Sequence, residues 1–185
     1  MRIVGIQAGF SLVEMVVSLA LSSVVLAFGV PELVNTLSNI RSRSAMNSVC
    51  SGLRLARAEA IRRNGRVIMC KSNDGLQCSA SGDWSQGWII FHDTNNSRLV
   101  DKGETILYRE GKSTGNLRIS ANQPISKDIS YTYTGEAVLP KGGFQAGTFT
   151  VAANATSNLS VYCIAVNKRG THRVYKSETG VCSSD

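Results

Sequence analysis

The sequence is short of several residue types, and each shortage excludes a class of protein. Only 3 of the 185 residues are proline, which argues against a collagen-like chain. Five cysteines are too few for a disulfide-dense miniprotein, and an odd number cannot all pair within one chain. Charged residues make up 18% of the chain, below the roughly 25% usual for soluble proteins, so some stretch is expected to be poor in charge. The net charge of +7 permits an anionic partner but does not require one.

Residues that carry catalysis or bind metals are scarce as well. His92 and His172 are the only histidines, and neither has a metal-ligand spacing to a second histidine. The serines lack the context of a nucleophile elbow, and no glycine-rich phosphate-binding loop is present. We therefore predict no catalytic residue, no metal, no cofactor and no small-molecule substrate.

The missing charge is concentrated near the start of the chain. From Phe10 to Val30 there are 15 apolar residues in 21, and Glu14 is the one charged side chain. A helix of this length reaches about 32 Å, close to the roughly 30 Å hydrocarbon core of a bilayer. Only residues 1–9 precede it, and no small-residue cleavage signal follows it, so we expect the segment to be kept as a membrane anchor.

Residues 31–64 continue the helix with a different pattern. Apolar side chains recur at spacings of three and four, which is typical of one face of an α-helix. The helix is predicted from about Phe10 to about Asn64, with Pro31 as a candidate kink and Gly65 in the left-handed position beyond the last turn. The apolar face consists of Met46, Val49, Cys50, Leu53, Ala56 and Ala60.

After Gly65, short runs of β-branched and aromatic residues alternate with turn residues. Their spacing predicts an antiparallel sheet in residues 65–185, with the amphipathic half of the helix covering its apolar face. The fold class is therefore α+β, a long N-terminal helix packed on an antiparallel β-sheet. The predicted strands are Arg66–Lys71, Trp88–His92, Ile106–Arg109, Leu117–Ser120, Ile129–Tyr133, Thr148–Ala152, Leu159–Val166 and Thr171–Lys176.

The N-terminal segment resembles a known leader. Gly9-Phe10-Ser11-Leu12-Val13-Glu14-Met15, with the apolar run and Pro31 behind it, is similar to the class III leader of type IV pilins and type II secretion pseudopilins. Two further stretches resemble the GspH/FimT group of minor pilins. These stretches are Leu55-Ala56-Arg57-Ala58-Glu59-Ala60-Ile61-Arg62-Arg63-Asn64 and Gly87-Trp88-Ile89-Ile90-Phe91-His92-Asp93.

This resemblance implies a pilin fold and a processing pathway. A prepilin peptidase and N-methyltransferase would cut between Gly9 and Phe10 on the cytoplasmic side and methylate the new amino group of Phe10. The helix would stand in the bacterial inner membrane with residues 65–185 in the periplasm, and the protein would then enter a fibre at the cell surface. The expected partners are a major pilin and other minor pilins.

Glu14 is expected to act in assembly. A carboxylate in an apolar helix costs on the order of 3 kcal/mol at mid-bilayer, less near the end, and usually has a partner. No cation is near it along the helix, but the amino group of a neighbouring subunit's Phe10 could neutralise it and set the axial stagger. The alternative is a protonated or snorkelling glutamate at the membrane interface.

The leader places the C-terminal part outside the cytoplasm, where disulfides persist. Cys70 and Cys78 flank a turn rich in Gly, Ser and Asn, so a local bond is easily formed. A bond from Cys163 to Cys182 would tie down the C-terminal tail. Cys50 lies on the apolar face of the helix as a buried small hydrophobe. The rival scheme pairs Cys50 with a cysteine of the sheet.

Asp93-Thr94-Asn95-Asn96-Ser97, with Asp101 and Glu104, repeats the oxygen spacing of a calcium loop. Arg98, however, stands where that loop needs glycine, and the flanking segments are predicted strands rather than helices. We therefore predict a hairpin connection at this point.

Basic residues cluster near the C-terminus. Asn167-Lys168-Arg169-Gly170-Thr171 is typical of a hairpin turn between the last two strands. Pilins of the FimT type that bind DNA carry a Gly-Arg-x-Arg motif near this point, whereas this chain reads Arg169-Gly170-Thr171-His172-Arg173. DNA is thus a candidate partner, and a solvated turn is the alternative. The candidate DNA-binding residues are Lys168, Arg169, Arg173 and Lys176.

The function expected from the sequence is that of a minor pilin that primes or caps a type IV pilus. A DNA receptor for natural transformation and a minor pseudopilin of a type II secretion system are the alternatives. The two fibre systems use the same helix and the same processing, so sequence physics does not separate them.

Overall fold

The computed structural model describes residues 11–153, 161–177 and 179–182, without the side chains of residues 28–32 and 35. The α-helix α1 spans Leu12–Arg62, and the chain divides into two units, Met1–Leu37 and Ser38–Asp185. A short 3-10 helix spans Trp84–Gln86. The backbone of α1 runs unbroken through Pro31. Within the described residues, no helix combines the length and the apolarity needed to cross a membrane.

α1 ends in a hydrogen-bonded cap that differs from the predicted one. The amide of Gly65 donates to the Ala60 carbonyl at 3.1 Å and that of Asn64 donates to the Ile61 carbonyl at 3.2 Å, which is the Schellman pattern. The left-handed residue is Asn64, with φ of 48°, and not Gly65. Gly65 is needed for space, because a Cβ there would lie 2.5 Å from Nε2 of His92.

Eight strands follow the helix, each within two residues of its predicted bounds where both ends are described. The predicted start of β7 at Leu159 lies outside the described residues. The strands are β1 Arg66–Lys71, β2 Trp88–Asp93, β3 Ile106–Glu110, β4 Leu117–Ala121, β5 Asp128–Tyr131, β6 Gly147–Ala153, β7 Val161–Val166 and β8 His172–Ser177.

The strands form two antiparallel sheets rather than the single one expected. Their orders are β3-β2-β1-β5 and β4-β6-β7-β8. β5 pairs with β1, the first strand of the domain, and its pairing ends at Tyr131. The chain then turns, with the Gly135 amide bonded to the Thr132 carbonyl at 2.8 Å. The predicted α+β architecture of a helix with antiparallel strands is confirmed.

The helix and the two sheets share one core. Val49, Cys50, Leu53, Ala56 and Ala60 are buried, so the predicted apolar face is confirmed. They belong to one cluster with residues of both sheets, including Val67, Met69, Phe149, Val151 and Ile164. A second cluster lies on the opposite face of β1 and β2, where Ile68, Cys70, Ile89 and Phe91 are buried with the partly buried Cys78, Val100 and Ile106. The first sheet is thus covered on both faces.

Candidate functional site

The start of α1 is a capped helix with a carboxylate in its first turn. The Ser11 hydroxyl accepts a hydrogen bond from the Val13 amide at 3.3 Å, as an N-cap residue does. Glu14 is the third helical residue and is exposed, a position that the helix dipole favours for a negative charge. Among the described residues, no ion pair involves Glu14. Gly9 and Phe10, the predicted cleavage and methylation residues, lie outside the described residues.

Exposed apolar side chains predominate along the N-terminal part of α1, although Ser11, Glu14, Ser18 and Ser22 share one face of the helix. Every residue from 11 to 27 is exposed, and Leu12, Leu19 and Val25 are 79%, 70% and 70% exposed. The hydroxyls of Ser18 and Ser22 each donate to the carbonyl four residues earlier at 2.7 Å, so these polar groups need no water. An exposed apolar surface of this extent is typical of a surface that contacts a partner or a membrane. The predicted anchor covers residues 10–30, and Phe10 and the side chains of 28–30 are outside the described part.

The predicted hairpin between β7 and β8 is present, and its tip is held by several hydrogen bonds. Asn167 holds the tip through its side-chain oxygen, which accepts from the amides of Arg169 at 3.0 Å and Thr171 at 3.2 Å. Gly170 is buried and has φ of 73°, and a Cβ there would lie 2.1 Å from the Gly135 carbonyl oxygen. That same carbonyl accepts a hydrogen bond from Nε of Arg57 on α1 at 2.9 Å. The tip is therefore docked on the domain rather than free.

The four candidate DNA-binding cations do not share one surface. Lys168 and Arg169 lie at the exposed tip, and the ammonium of Lys168 stands 5.5 Å from the ring centre of Phe144. Arg173 lies 5.7 Å from the Tyr175 ring centre and pairs with Ala165 of β7. Lys176, three residues on, falls on the opposite face of β8 because side chains alternate along a strand. The structure thus groups Lys168 with Arg169 and separates Arg173 from Lys176.

His172 lies on the same face of β8 as Lys176, toward the helix. Its pKa is lowered by burial and, to a smaller extent, by the positive charge of Arg54 on α1. The residue is half-buried, opposite Val166 of the core. His172 is therefore not counted among the cations near the tip of the hairpin.

Two disulfides are present, and they are the predicted pairs. Cys70 is bonded to Cys78 and Cys163 is bonded to Cys182. Cys50 is a buried free thiol, and burial raises its pKa. The rival scheme, which bonds Cys50 to the sheet, is therefore wrong.

The acidic loop after β2 connects two antiparallel neighbours, so the predicted hairpin connection is confirmed. Its carboxylates accept hydrogen bonds from the loop itself. Asp93 accepts from the amides of Ser97 and Arg98 at 3.1 and 3.2 Å, and Glu104 accepts from the Thr94 amide at 2.7 Å. Within the described part of the chain, no group of three His, Cys, Asp or Glu residues is placed to hold a metal ion.

Arg98 has a role that the sequence pattern did not suggest. Its φ of 64° gives this position the left-handed backbone for which a calcium loop uses glycine. Its guanidinium reaches back into the domain and pairs with Asp128, while also donating to the backbone carbonyl of Val138 and to the side-chain Oε1 of Gln145 at 3.3 Å each. The residue anchors the loop to the second half of the domain.

A cavity of about 520 Å³ opens beside the C-terminal end of α1, and sequence reasoning missed it. Its polar lining includes Arg63, Arg66, His92, Asn96 and Tyr133. These residues come from the helix end, two strands and two loops. The only local signal was the pair of arginines that flanks Asn64-Gly65, because the other residues are brought there by strand pairing.

Family comparisons match most of the chain. A sequence model described as "Type II transport protein GspH" matches residues 45–170, and one described as "Prokaryotic N-terminal methylation motif" matches residues 6–30. A search among curated proteins finds no significant match. The two family matches confirm the resemblance drawn from the leader and from the two later stretches.

Solved structures with a similar fold include subunits of two fibre systems. The type IV minor pilin FimU of Pseudomonas aeruginosa PAO1, in two crystal forms, gives TM-scores of 0.52 and 0.51 at 15% and 16% identity. Each alignment covers 74% of this chain, with 97% and 92% of the FimU chains. The minor pseudopilin EpsH from the type 2 secretion system of Vibrio cholerae gives a TM-score of 0.50 at 12% identity, covering 74% of this chain and 97% of EpsH. At these identities the likeness is one of fold.

Proposed function

This chain belongs to the GspH family of type II transport proteins, and from that premise we propose that it is a minor, non-enzymatic fibre subunit of the pilin type. The observation that carries the proposal is the helix segment from Leu12 to Ala27, whose side chains are exposed and predominantly apolar. Such a surface is typical of one that contacts lipid or other apolar helices. A fibre subunit has both surroundings in turn, because its helix lies in a membrane before assembly and packs against other helices in the fibre core afterwards.

Maturation is the first step of the proposal. A prepilin peptidase cuts between Gly9 and Phe10 and the new Phe10 amine is methylated, for which the methylation-motif match over residues 6–30 is the support. Before assembly, residues 10–30 lie in the inner membrane and residues 65–185 face the periplasm. Afterwards the helix lies in the fibre and the sheets form its surface.

Glu14 links one subunit to the next. The residue is exposed in the first turn of α1, and its carboxylate is paired with no cation among the described residues. In an apolar surrounding an unpaired carboxylate is costly. The amino group of a neighbour's Phe10 would remove that cost at one axial offset only, which fixes the stagger between subunits.

The Glu14 role is tested by Glu14→Gln in cells that assemble the fibre. Processing should be unchanged, whereas the amount of the protein in sheared fibres should fall several-fold. Glu136→Gln, a matched change at an exposed glutamate of the sheet domain, should leave both unchanged. Normal incorporation of Glu14→Gln would refute the assembly role.

We place the subunit at the end of the fibre, where it primes or caps a type IV pilus. The fold does not separate this assignment from the type II secretion alternative, since FimU and EpsH are similar to this chain at TM-scores of 0.52 and 0.50 and the matching family model is described as a type II transport protein. Chemical crosslinking of the membrane-embedded form, followed by identification of the captured proteins, separates the two. Capture of pilus subunits supports the first assignment, and capture of secretion-system pseudopilins alone contradicts it.

DNA binding is a second candidate function, favoured by the hydrogen-bonded tip between β7 and β8. Lys168, Arg169 and Arg173 are exposed on and beside this tip, and Gly170 allows the tip to approach Gly135 closely. A preorganised tip binds phosphates without first losing conformational freedom. Lys176, on the other face of β8, is expected to contribute least.

A gel-shift series with the full-length protein in detergent tests this candidate. Replacing Lys168, Arg169 and Arg173 with Ala should weaken DNA binding. The negative slope of log K against log salt should become shallower by about 2.7, since each lost phosphate contact accounts for about 0.9. The control removes three exposed lysines elsewhere, Lys102, Lys112 and Lys141. Equal binding by both triple variants would exclude the hairpin as the DNA site.

A further inference from the structure

The cavity beside the C-terminal end of α1 is large enough for a small molecule. Its volume of about 520 Å³ falls within the roughly 300–1,000 Å³ of ligand pockets. At about 30 Å³ per water molecule, it exceeds the space that one carboxylate or phosphate group would fill several times over. An occupant of this site therefore has a body as well as a charged group.

The charge in the cavity is predominantly positive. Arg63 uses its Nε to bind Glu59 at 2.7 Å, and Arg66 donates from one Nη to the Ser130 hydroxyl at 3.3 Å. The other N–H groups of these two guanidiniums take part in no hydrogen bond or ion pair between described residues. They are available to an anionic ligand, for which a paired guanidinium geometry is well suited.

Negative groups around the cavity are already engaged. Asp93 lines it but is buried, and its two oxygens accept the amides of Ser97 and Arg98. Glu59 is held by Arg62 and Arg63 together, and these hydrogen bonds lower the pKa of its carboxyl to about 2. Both carboxylates are thus already hydrogen-bonded within the protein.

The remaining lining suits a body rich in hydroxyl groups. Tyr133 is 62% exposed and offers both a ring face and a phenol. Asn96 adds an amide, which can donate to and accept from sugar hydroxyls. The Thr132 hydroxyl also lines the cavity but already bonds to the Thr134 hydroxyl at 2.7 Å and the Glu136 carbonyl at 3.3 Å. His92 completes this side of the lining and lies close to Gly65.

We propose that this cavity binds an acidic sugar of about one ring, a uronate or a sugar phosphate, with its anionic group on Arg63 and Arg66 and its ring beside Tyr133. This ligand site goes beyond the role of a fibre subunit and does not depend on it. The fibre role concerns α1 before residue 37, whereas every residue of this site belongs to the unit Ser38–Asp185.

Ligand-observed NMR titrations of the full-length protein test the site, in a polyoxyethylene detergent that carries neither sugar nor charge. The probes are glucuronate, glucose 1-phosphate, glucose and inorganic phosphate. The first two should bind, and the double change Arg63→Gln and Arg66→Gln should weaken their binding at least about tenfold, which corresponds to about 1.4 kcal/mol, because the charged donors to the anionic group are lost. Arg118→Gln, at an exposed arginine outside the cavity, should change neither Kd.

Each other result would overturn part or all of the proposal. If glucose bound as tightly as glucuronate and glucose 1-phosphate, the site would not require an anionic group. If inorganic phosphate bound and neither acidic sugar did, the ligand would not be a sugar. Binding that survives the double change, in a protein whose circular dichroism and Tm match those of the wild type, would place the ligand elsewhere. No binding by any probe would refute the site.

Discussion

The partly buried ion pair between Arg98 and Asp128 offers a stability test whose size follows from the contacts. The Arg98 side chain is 12% exposed, and its guanidinium serves Asp128, Gln145 and the Val138 carbonyl together. Arg98→Met keeps a long unbranched side chain and the same left-handed backbone. The free-energy cost of that backbone conformation is therefore nearly the same in the variant and the wild type. The substitution removes the cation that pairs with Asp128 and the donor to the Val138 carbonyl, whereas the Gln145 side-chain oxygen keeps the Ser130 amide at 3.0 Å. Removing one partner of a buried pair costs about 3–5 kcal/mol.

We expect the lower end of that range, about 3 kcal/mol, because the Asp128 side chain is 24% exposed and can be partly rehydrated. For a domain of this size the Tm should fall by about 6–12 °C. Urea unfolding and thermal melts followed by circular dichroism measure both quantities. Adding Asp128→Asn to Arg98→Met should recover part of the loss, since the unpaired charge is removed.

The matched control is Arg118→Met. Arg118 also faces an aspartate, Asp83, at 3.5 Å, but its side chain is 68% exposed. An exposed pair of this kind contributes at most about 1 kcal/mol. If Arg98→Met and Arg118→Met destabilised the protein equally, the network around Arg98 would not be anchoring the β2–β3 loop as described.

Three further predictions concern single residues. Gly170→Ala should destabilise the domain by more than Gly142→Ala. Both glycines have positive φ, so the backbone cost of alanine is similar at the two positions. A Cβ at Gly170 would meet a carbonyl oxygen at 2.1 Å, whereas nothing lies within 4 Å of a Cβ at Gly142. Equal losses in urea unfolding would contradict the docking of the tip. Thiol titration without reductant should find no reactive thiol in the native protein and one, Cys50, after unfolding; three or more would exclude the two disulfides. Glu59→Gln should lower the free energy of unfolding, and the full loss should be seen above pH 4.5. The difference from wild type should vanish as the pH falls toward 2, because folding lowers the pKa of the Glu59 carboxyl from 4.5 to about 2. A difference that stays constant from pH 7 to 2 would show that the ionised carboxylate contributes nothing.

The local sequence pattern was sufficient to predict where the helix and the strands lie, but not which strands pair with one another. The spacing from Met46 to Ala60 predicted the buried face of α1 because one face of a helix repeats every three to four residues. The strands were located because alternation is also local. The division into two sheets could not be predicted, since β5 returns to β1 across more than fifty residues while β4 joins β6. No short-range signal records that choice.

The same limit applies to the candidate sites. The disulfides could be predicted because a turn and a tail restrict which cysteines meet. Arg98 was interpreted only as a break in a calcium-loop pattern, since its partner Asp128 lies 30 residues away. The cavity residues Arg63, His92 and Tyr133 converge only after strand pairing, so neither spacing nor composition indicated them.

The central claim is that the chain is processed at its leader and built into a fibre. Mass spectrometry of the protein recovered from sheared fibres tests this most directly. The account predicts a mature chain that begins at N-methylated Phe10, with both disulfides intact. A chain that retains Met1, or is cut anywhere other than between Gly9 and Phe10, would contradict it.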